Sequence, residues 1–194
     1  MPTTDPLPVE LDELLAAEFN YIAQTAIQAN EDRARVSSFY LVAVGSLVVT
    51  LFGTQLFESD FFSRDVNLMF GALFLLLTAL GFFTTMQLAR LRAAWYDSAL
   101  AMNQIKEFMV GQNKNLAGAF RWTTATLPPK HKTSSVSYVQ TVEVALISGL
   151  MSGMAGIFFQ RIFVTLGPVN WIAAVLLGML VIRLQLLVYR RILG

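Results

Sequence analysis

The 194-residue chain contains no cysteine. That excludes disulfides, thiolate metal sites and cysteine nucleophiles, and it leaves the redox compartment open. Charge is scarce as well, at 14% Asp, Glu, Lys and Arg, against about a quarter in an ordinary soluble domain. The single histidine, His131, stands between Lys130 and Lys132 in a proline-marked loop, so it belongs to no Ser-His-acid set and to no haem-type pair. No Walker motif occurs, and "GQNKNLAGAF" has two glycines without the spacing of a phosphate loop. "NED" at 30–32 lacks the alternating oxygens and central glycine of a calcium loop. The expectation is a protein that is not an enzyme and that uses no cofactor and no metal.

A net charge of +1 offers no electrostatic footprint for nucleic acid. Phe108, Phe120, Trp122 and Tyr138 lie among basic residues, but Trp and Tyr favour membrane interfaces, so they read as surface anchors or core. The start, "MPTTDPLPVELDELL", is acidic and proline-bearing. It lacks the basic stretch and short apolar run of a signal peptide, and is read as none.

What the chain does have is apolar bulk. Hydrophobic residues make up 55% of it, with a mean hydropathy of +0.56. One small core cannot hide that much apolar surface, so lipid is the expected solvent. A bilayer core of ~30 Å needs about 20 helical residues. Four continuous stretches meet that length: Val36–Phe57, Asn67–Leu88, Gln140–Gln160 and Val169–Tyr189. They are continuous rather than alternating, which selects helices over a barrel.

Orientation follows from lysine and arginine. Arg33 and Arg35 precede the first stretch. Arg90, Arg92, Lys106, Lys114, Arg121, Lys130 and Lys132 lie between the second and third, and Arg190 and Arg191 form the tail. The two remaining loops carry one each, Arg64 and Arg161. Both termini and the central segment are therefore expected in the cytoplasm, in a multi-pass protein of the cytoplasmic (inner) membrane. The expected fold is all-α and polytopic: four transmembrane helices as two hairpins, an amphipathic N-terminal helix, and a long cytoplasmic extension of the second span. The divisions are 1–35 (cytoplasmic helix), 36–88 (first hairpin), 89–139 (cytoplasmic helical segment and loop) and 140–194 (second hairpin and tail).

Ahead of the first span, Leu11, Leu15, Phe19, Ile22, Ala26 and Ala29 recur at three- and four-residue steps, with Asn20, Gln24, Gln28 and Glu31 mostly opposite. That is an amphipathic helix. No Gly or Pro occurs from Val9 to Val44, so it either runs straight into the span or bends at "EDRAR". The second span lacks a breaker before Gly111 and is read as one helix from about Asn67 to Val110. A shorter helix is expected over Lys114–Thr126. "LPPKHKTSS" is a loop, after which Ser134 or Ser135 caps the next helix.

Residues 1–35 hold seven acids (Asp5, Glu10, Asp12, Glu13, Glu18, Glu31, Asp32) and two arginines, a net of −5. Residues 89–139 hold seven basic residues and two acids (Asp97, Glu107), a net of +5. The two segments are expected to pack as one cytoplasmic layer, with burial supplying the energy and charge selecting the partner.

In lipid, helices associate through small residues and polar contacts. The first span offers Ala43, Ser46, Thr50 and Gly53. The second offers Asn67, Gly71, Thr78, Gly81 and Thr85; the third Ser148, Gly149, Ser152, Gly153 and Gly156; the fourth Ala174 and Gly178. These stripes are candidates for helix packing or for lining a pore, and they imply a homo-oligomer or a membrane-protein partner besides the lipid bilayer. Glu143, one turn into the third span, and Arg183, in the fourth, fall at comparable depth. They are a candidate intramembrane ion pair; the alternative is that Arg183 snorkels toward the inner interface.

The layout over about residues 9–110, a cytoplasmic helix, a two-span hairpin and a long helical continuation, resembles the SLATT-type membrane-effector modules of bacterial conflict systems. The resemblance is architectural, without a shared motif, and the second hairpin departs from it. It implies assembly into a pore. The leading expectation is nonetheless a non-catalytic integral membrane protein that self-assembles or binds a partner, and a homo-oligomeric ion channel is the alternative.

Overall fold

The computed structural model describes residues 10–53 and 63–194, with side chains from 10–50 and 63–194. Four α-helices account for most of it: α1 Leu11–Gly53, α2 Arg64–Gln112, α3 Val136–Arg161 and α4 Pro168–Leu193. No strand occurs among the described residues. Three of the helices, α2, α3 and α4, are long and apolar enough to cross a membrane. The end of the expected first span, residues 54–57, lies outside the described residues.

Length divides the helices into two kinds. At 1.5 Å per residue, the 26 residues of α3 and of α4 reach ~39 Å, close to a bilayer with part of its headgroups. The 43 residues of α1 and 49 of α2 reach ~65 and ~74 Å, so both extend far past a bilayer core. α1 is continuous through "EDRAR". The choice left open by the sequence falls to the straight helix, because nothing there lacks an amide hydrogen or favours a turn.

Side-chain caps set the other boundaries. The Ser63 hydroxyl accepts from the Val66 amide at 3.3 Å to start α2, with Asp65 in the first turn where the helix dipole favours an acid. Ser135, one of the two expected caps, accepts from the Tyr138 amide at 3.2 Å and starts α3. Pro168 occupies the first turn of α4, a position that needs no amide hydrogen. Asn170 accepts from the Gly167 amide at 2.9 Å and donates to Gln160 Oε1 at 2.7 Å, tying the start of α4 to the end of α3.

The helix expected over Lys114–Thr126 is corrected to two short 3₁₀ turns, Lys114–Gly118 and Thr124–Thr126. Local side chains compete with the helix there. Asn113 Oδ1 accepts from the Asn115 amide at 3.1 Å, and Thr126 Oγ1 accepts from the Thr123 amide at 2.9 Å. Glu107 Oε1 then accepts from the Thr124 amide at 2.8 Å, holding the second turn against α2.

α2 sits at the centre, packed on α1, α3 and α4. Helices consecutive in the chain run antiparallel, since the residue numbers in contact rise on one helix as they fall on the other, whereas α2 and α4 run parallel, with Thr85 beside Gln185 and Ala89 beside Tyr189. Phe19 meets Lys106 and Tyr40 meets Gly81 between α1 and α2. Gly149 meets Gly178 and Gly153 meets Ala174 between α3 and α4. The main core joins Tyr40 and Val44 of α1, Phe70, Phe74 and Leu77 of α2, and Val144, Met151 and Ala155 of α3. α4 packs on α3 and α2 along one face only. It buries Ala174, Gly178, Gln185, Tyr189 and Leu193 and leaves Ile172, Val175, Leu176, Met179, Leu180 and Leu187 exposed. In water such a face would be a large unpaid exposure; in lipid it needs no cover.

The N-terminal half of α1 lies along the far half of α2. Ala26 and Ala29 are buried. Further out, Leu15 and Phe19 face Ile105, Phe108 and Met109 across an apolar cleft of about 620 Å³. No ion pair joins the two segments among the described residues. Asp32 pairs with Arg35 within α1 at 3.5 Å, and Asp97 pairs with Lys130 within the basic segment at 2.8 Å. Contact between the segments is therefore apolar, with Lys106 Nζ also 5.7 Å from the Phe19 ring.

Candidate functional site: a polar cluster inside the helical bundle

Gln185 is two residues beyond Arg183, which at about 100° per residue turns it to nearly the opposite face of α4. Arg183 is exposed, whereas Gln185 is 0% exposed. Buried amides require partners, and Gln185 finds them on two other helices. Its Oε1 accepts from Thr85 Oγ1 of α2 at 3.0 Å. Its Nε2 donates to Ser148 Oγ of α3 at 2.6 Å. Ser148 in turn donates to the Thr78 carbonyl of α2 at 3.1 Å. One side chain thus ties three helices together at a single level.

Gly81 makes that level reachable. A Cβ there would stand 2.6 Å from Ser148 Cβ and 2.7 Å from the Tyr40 hydroxyl, closer than carbon atoms pack. Glycine lets α1 and α3 close on α2 at the same point. The Tyr40 side chain is 1% exposed and its hydroxyl comes up beside Ser148. The Tyr40 hydroxyl itself makes no well-formed hydrogen bond among the described residues.

The glycines of α3 and α4 act the same way. A Cβ at Gly178 would lie 2.7 Å from the Gly149 carbonyl oxygen, and one at Gly149 2.8 Å from the Gly178 carbonyl oxygen. The two backbones touch, as small-residue packing in lipid requires. A Cβ at Gly153 would stand 3.1 Å from the Ala174 carbonyl oxygen, one at Gly156 3.2 Å from Leu177, and one at Gly71 3.0 Å from the Phe159 ring.

The structure therefore brings Thr78, Gly81, Thr85, Ser148, Gly149 and Gly153 together in the interior. Ser152 is buried on the same face of α3. Asn67 is buried at the start of α2, donating to the Ser63 carbonyl at 3.1 Å. Ser46 and Thr50 are placed differently: both are exposed, and the Thr50 hydroxyl donates to the Ser46 carbonyl at 2.8 Å. The face of α1 that packs inward is Ser37, Tyr40 and Val44 instead. Glu143 and Arg183 are also exposed, and no ion pair forms between them among the described residues. The reason is rotational. Val144, Ala145 and Ser148 turn inward on α3, and Gln185 and Tyr189 on α4, which carries both charges away from the shared seam.

Sequence reasoning passed over Gln185, Tyr40 and a second polar contact, the Tyr189 hydroxyl donating to Ser137 Oγ at 3.1 Å. A signal existed. Ala174, Gly178, Gln185 and Tyr189 are spaced by four, seven and four residues, a helical stripe that continues the small-residue face into polar side chains.

The groups gathered here are hydroxyls, one amide and one backbone carbonyl, all neutral at physiological pH. They can bind one another or water, and they fix the register of three helices. Among the described residues, no three His, Cys, Asp or Glu side chains converge as a metal site would require. No protein-family model matches the chain, and neither a curated protein nor a solved structure does.

Proposed function

We propose that the chain is a non-catalytic integral membrane protein that crosses the cytoplasmic membrane four times, as two antiparallel hairpins, and assembles with copies of itself. Both termini and the far half of α2 lie in the cytoplasm, following the bias of lysine and arginine. There the amphipathic half of α1 and the extension of α2 form one helical layer.

The observation that carries the assembly reading is an asymmetry among the small-residue faces. Those of α2, α3 and α4 close on one another within the chain. That of α1 closes only in part: Ala43 packs on the core, but among the described residues a Cβ at Gly45 meets nothing within 4 Å, and Ser46 beside it is exposed. A face suited to close helix approach is left open toward lipid. The absence of cysteine makes a clean test. Ser46→Cys in membranes is expected to form a disulfide-linked dimer under mild oxidant, and Val175→Cys, on the aliphatic face of α4, is not. Equal cross-linking at the two positions would sink the reading.

A second reading, a homo-oligomeric ion channel, is favoured by the hydroxyls on the same face. Copies arranged around α1 would turn Ser46 and Thr50 toward a shared axis, as a polar lining. Purified protein in liposomes then leaks ions, and Thr50→Leu reduces the leak. A flux-silent protein that still cross-links at Ser46→Cys keeps the first reading alone.

A further inference from the structure

At the inner end of the spans the chain holds two guanidinium groups with no carboxylate between them. Arg33 precedes the start of the first span at Val36, and Arg92 follows the end of the second at Leu88, so on antiparallel α1 and α2 both stand at one level. Four other arginines near the same boundary, Arg35, Arg90, Arg190 and Arg191, are all exposed. Arg33 and Arg92 are turned inward: Arg33 is half-buried and Arg92 is 6% exposed.

Neutral groups hold Arg92 in place. Its Nε donates to the Lys130 carbonyl at 3.2 Å, one terminal nitrogen donates to the Pro129 carbonyl at 3.4 Å, and its Cζ lies 4.5 Å from the Trp95 ring centroid. Arg33 Nε is buried and has no hydrogen-bond partner among the described residues. Neither arginine makes an ion pair among the described residues, and Asp32 and Asp97 pair instead with Arg35 and Lys130. Burial lowers the pKa of Arg33 from its ordinary value, and the charge of Arg92 lowers it further, while Tyr189 opposes both. Burial lowers Arg92 as well, against the opposing influence of Tyr189 and Tyr96. His131 closes the edge of the cluster. Its ring sits 6.2 Å from that of Tyr189, and its Nε2 is buried without a partner.

Two partly desolvated like charges without a counterion are costly. A planar guanidinium fork binds a phosphate or a carboxylate in a bidentate way, and phosphates are the anions that stand at this level, in the lipid headgroups. We propose that Arg33 and Arg92, with His131 at the rim, form a phosphate-binding site whose source is the headgroup of an anionic phospholipid. The placement at the membrane boundary rests on the four-span reading; the paired guanidiniums do not.

The test uses the full chain in phosphatidylcholine nanodiscs. Phosphatidic acid is titrated into the discs in one arm. In the other, sodium phosphate is compared with sodium chloride at equal ionic strength. The readout is the midpoint of thermal unfolding for wild type, Arg33→Gln and Arg35→Gln, the last removing the same charge from an exposed position. Wild type and Arg35→Gln are expected to gain stability saturably with phosphatidic acid, and Arg33→Gln to need at least about tenfold more of it. A response confined to phosphatidic acid supports the lipid source. A phosphate response in neutral discs that Arg33→Gln alone weakens keeps the site and assigns it to free phosphate, and would survive a failure of the four-span reading. Equal responses of Arg33→Gln and Arg35→Gln in both arms overturn the proposal. If Arg33→Gln does not fold, Arg33→Lys keeps the charge and loses the fork; weakening that Arg35→Lys does not share supports the site, and no difference overturns it.

Discussion

Gln185 Nε2 donates to Ser148 Oγ at 2.6 Å, across the seam between the two helices that end the chain. Thr85 completes the link from α2. The contact joins residues far apart in sequence at the level where Gly81 lets α1 approach as well. It makes this level the point at which α2, α3 and α4 are held to one register, with Tyr40 of α1 packed beside them.

Removing Gln185 leaves Thr85 and Ser148 buried without their partner. Gln185→Leu is expected to lower unfolding stability by about 1–3 kcal/mol, read from thermal or denaturant unfolding in detergent. A double-mutant cycle with Thr85→Val is expected to return a coupling of about 0.6 kcal/mol and no more than about 1.7. Additive single effects would show that the bond contributes nothing. Arg183→Gln, two residues away and exposed, should change stability by less than about 0.5 kcal/mol.

The glycine seam makes a sharper prediction. A side chain at Gly178 or Gly149 meets the opposite backbone, which cannot turn aside. Gly178→Val is expected to cost at least the 1–3 kcal/mol typical of overpacking, seen as a lower melting temperature or loss of monodisperse protein. Gly45→Leu, with nothing near its Cβ, should leave the melting temperature of the single chain unchanged. Equal effects at the two positions would refute the assignment of inner and outer faces.

The contact between the N-terminal half of α1 and the far half of α2 contains no ion pair among the described residues. Its protection from protease is therefore expected to persist at 0.5 M salt, where exposed ion pairs are largely screened. Ala29→Asp, which places a charge at a buried position, should release residues 10–30 to the protease. Release by salt alone would restore a dominant role for the opposed charges.

Topology can be read chemically, because a single introduced cysteine is the only thiol. Ser134→Cys, in the loop before α3, should react with a membrane-impermeant maleimide only from the cytoplasmic side. Thr165→Cys, between α3 and α4, should react only from the outer side. The reverse pattern would contradict the orientation taken from Arg and Lys.

The helices were legible because hydrophobic runs and absent breakers are local. α2 was expected over Asn67–Val110 and occupies Arg64–Gln112; Ser135 caps α3 as its position suggested. The Lys114–Thr126 segment was not legible, because Asn113 and Thr126 hydrogen bonds to the backbone decide it over distances of two and three residues. In the site, glycine spacing located the α3–α4 seam. Rotation about each helix axis was harder to see. A wheel shows which residues share a face, not which face turns inward, so it leaves open whether Ser46 and Thr50 pack within the chain or line a pore, and whether Arg183 pairs with Glu143 or snorkels. Gln185 escaped for a related reason, since its partners Thr85 and Ser148 come from helices remote in sequence.

The central claim is that this protein crosses the membrane as a closed four-helix unit and assembles through the open face of α1. The most direct measurement is the mass of the protein in nanodiscs, taken on wild type and on Gly45→Leu. The account predicts more than one copy per particle for wild type and a single, equally stable copy for Gly45→Leu. A wild-type particle holding one chain, or an assembly that Gly45→Leu leaves intact, would contradict it.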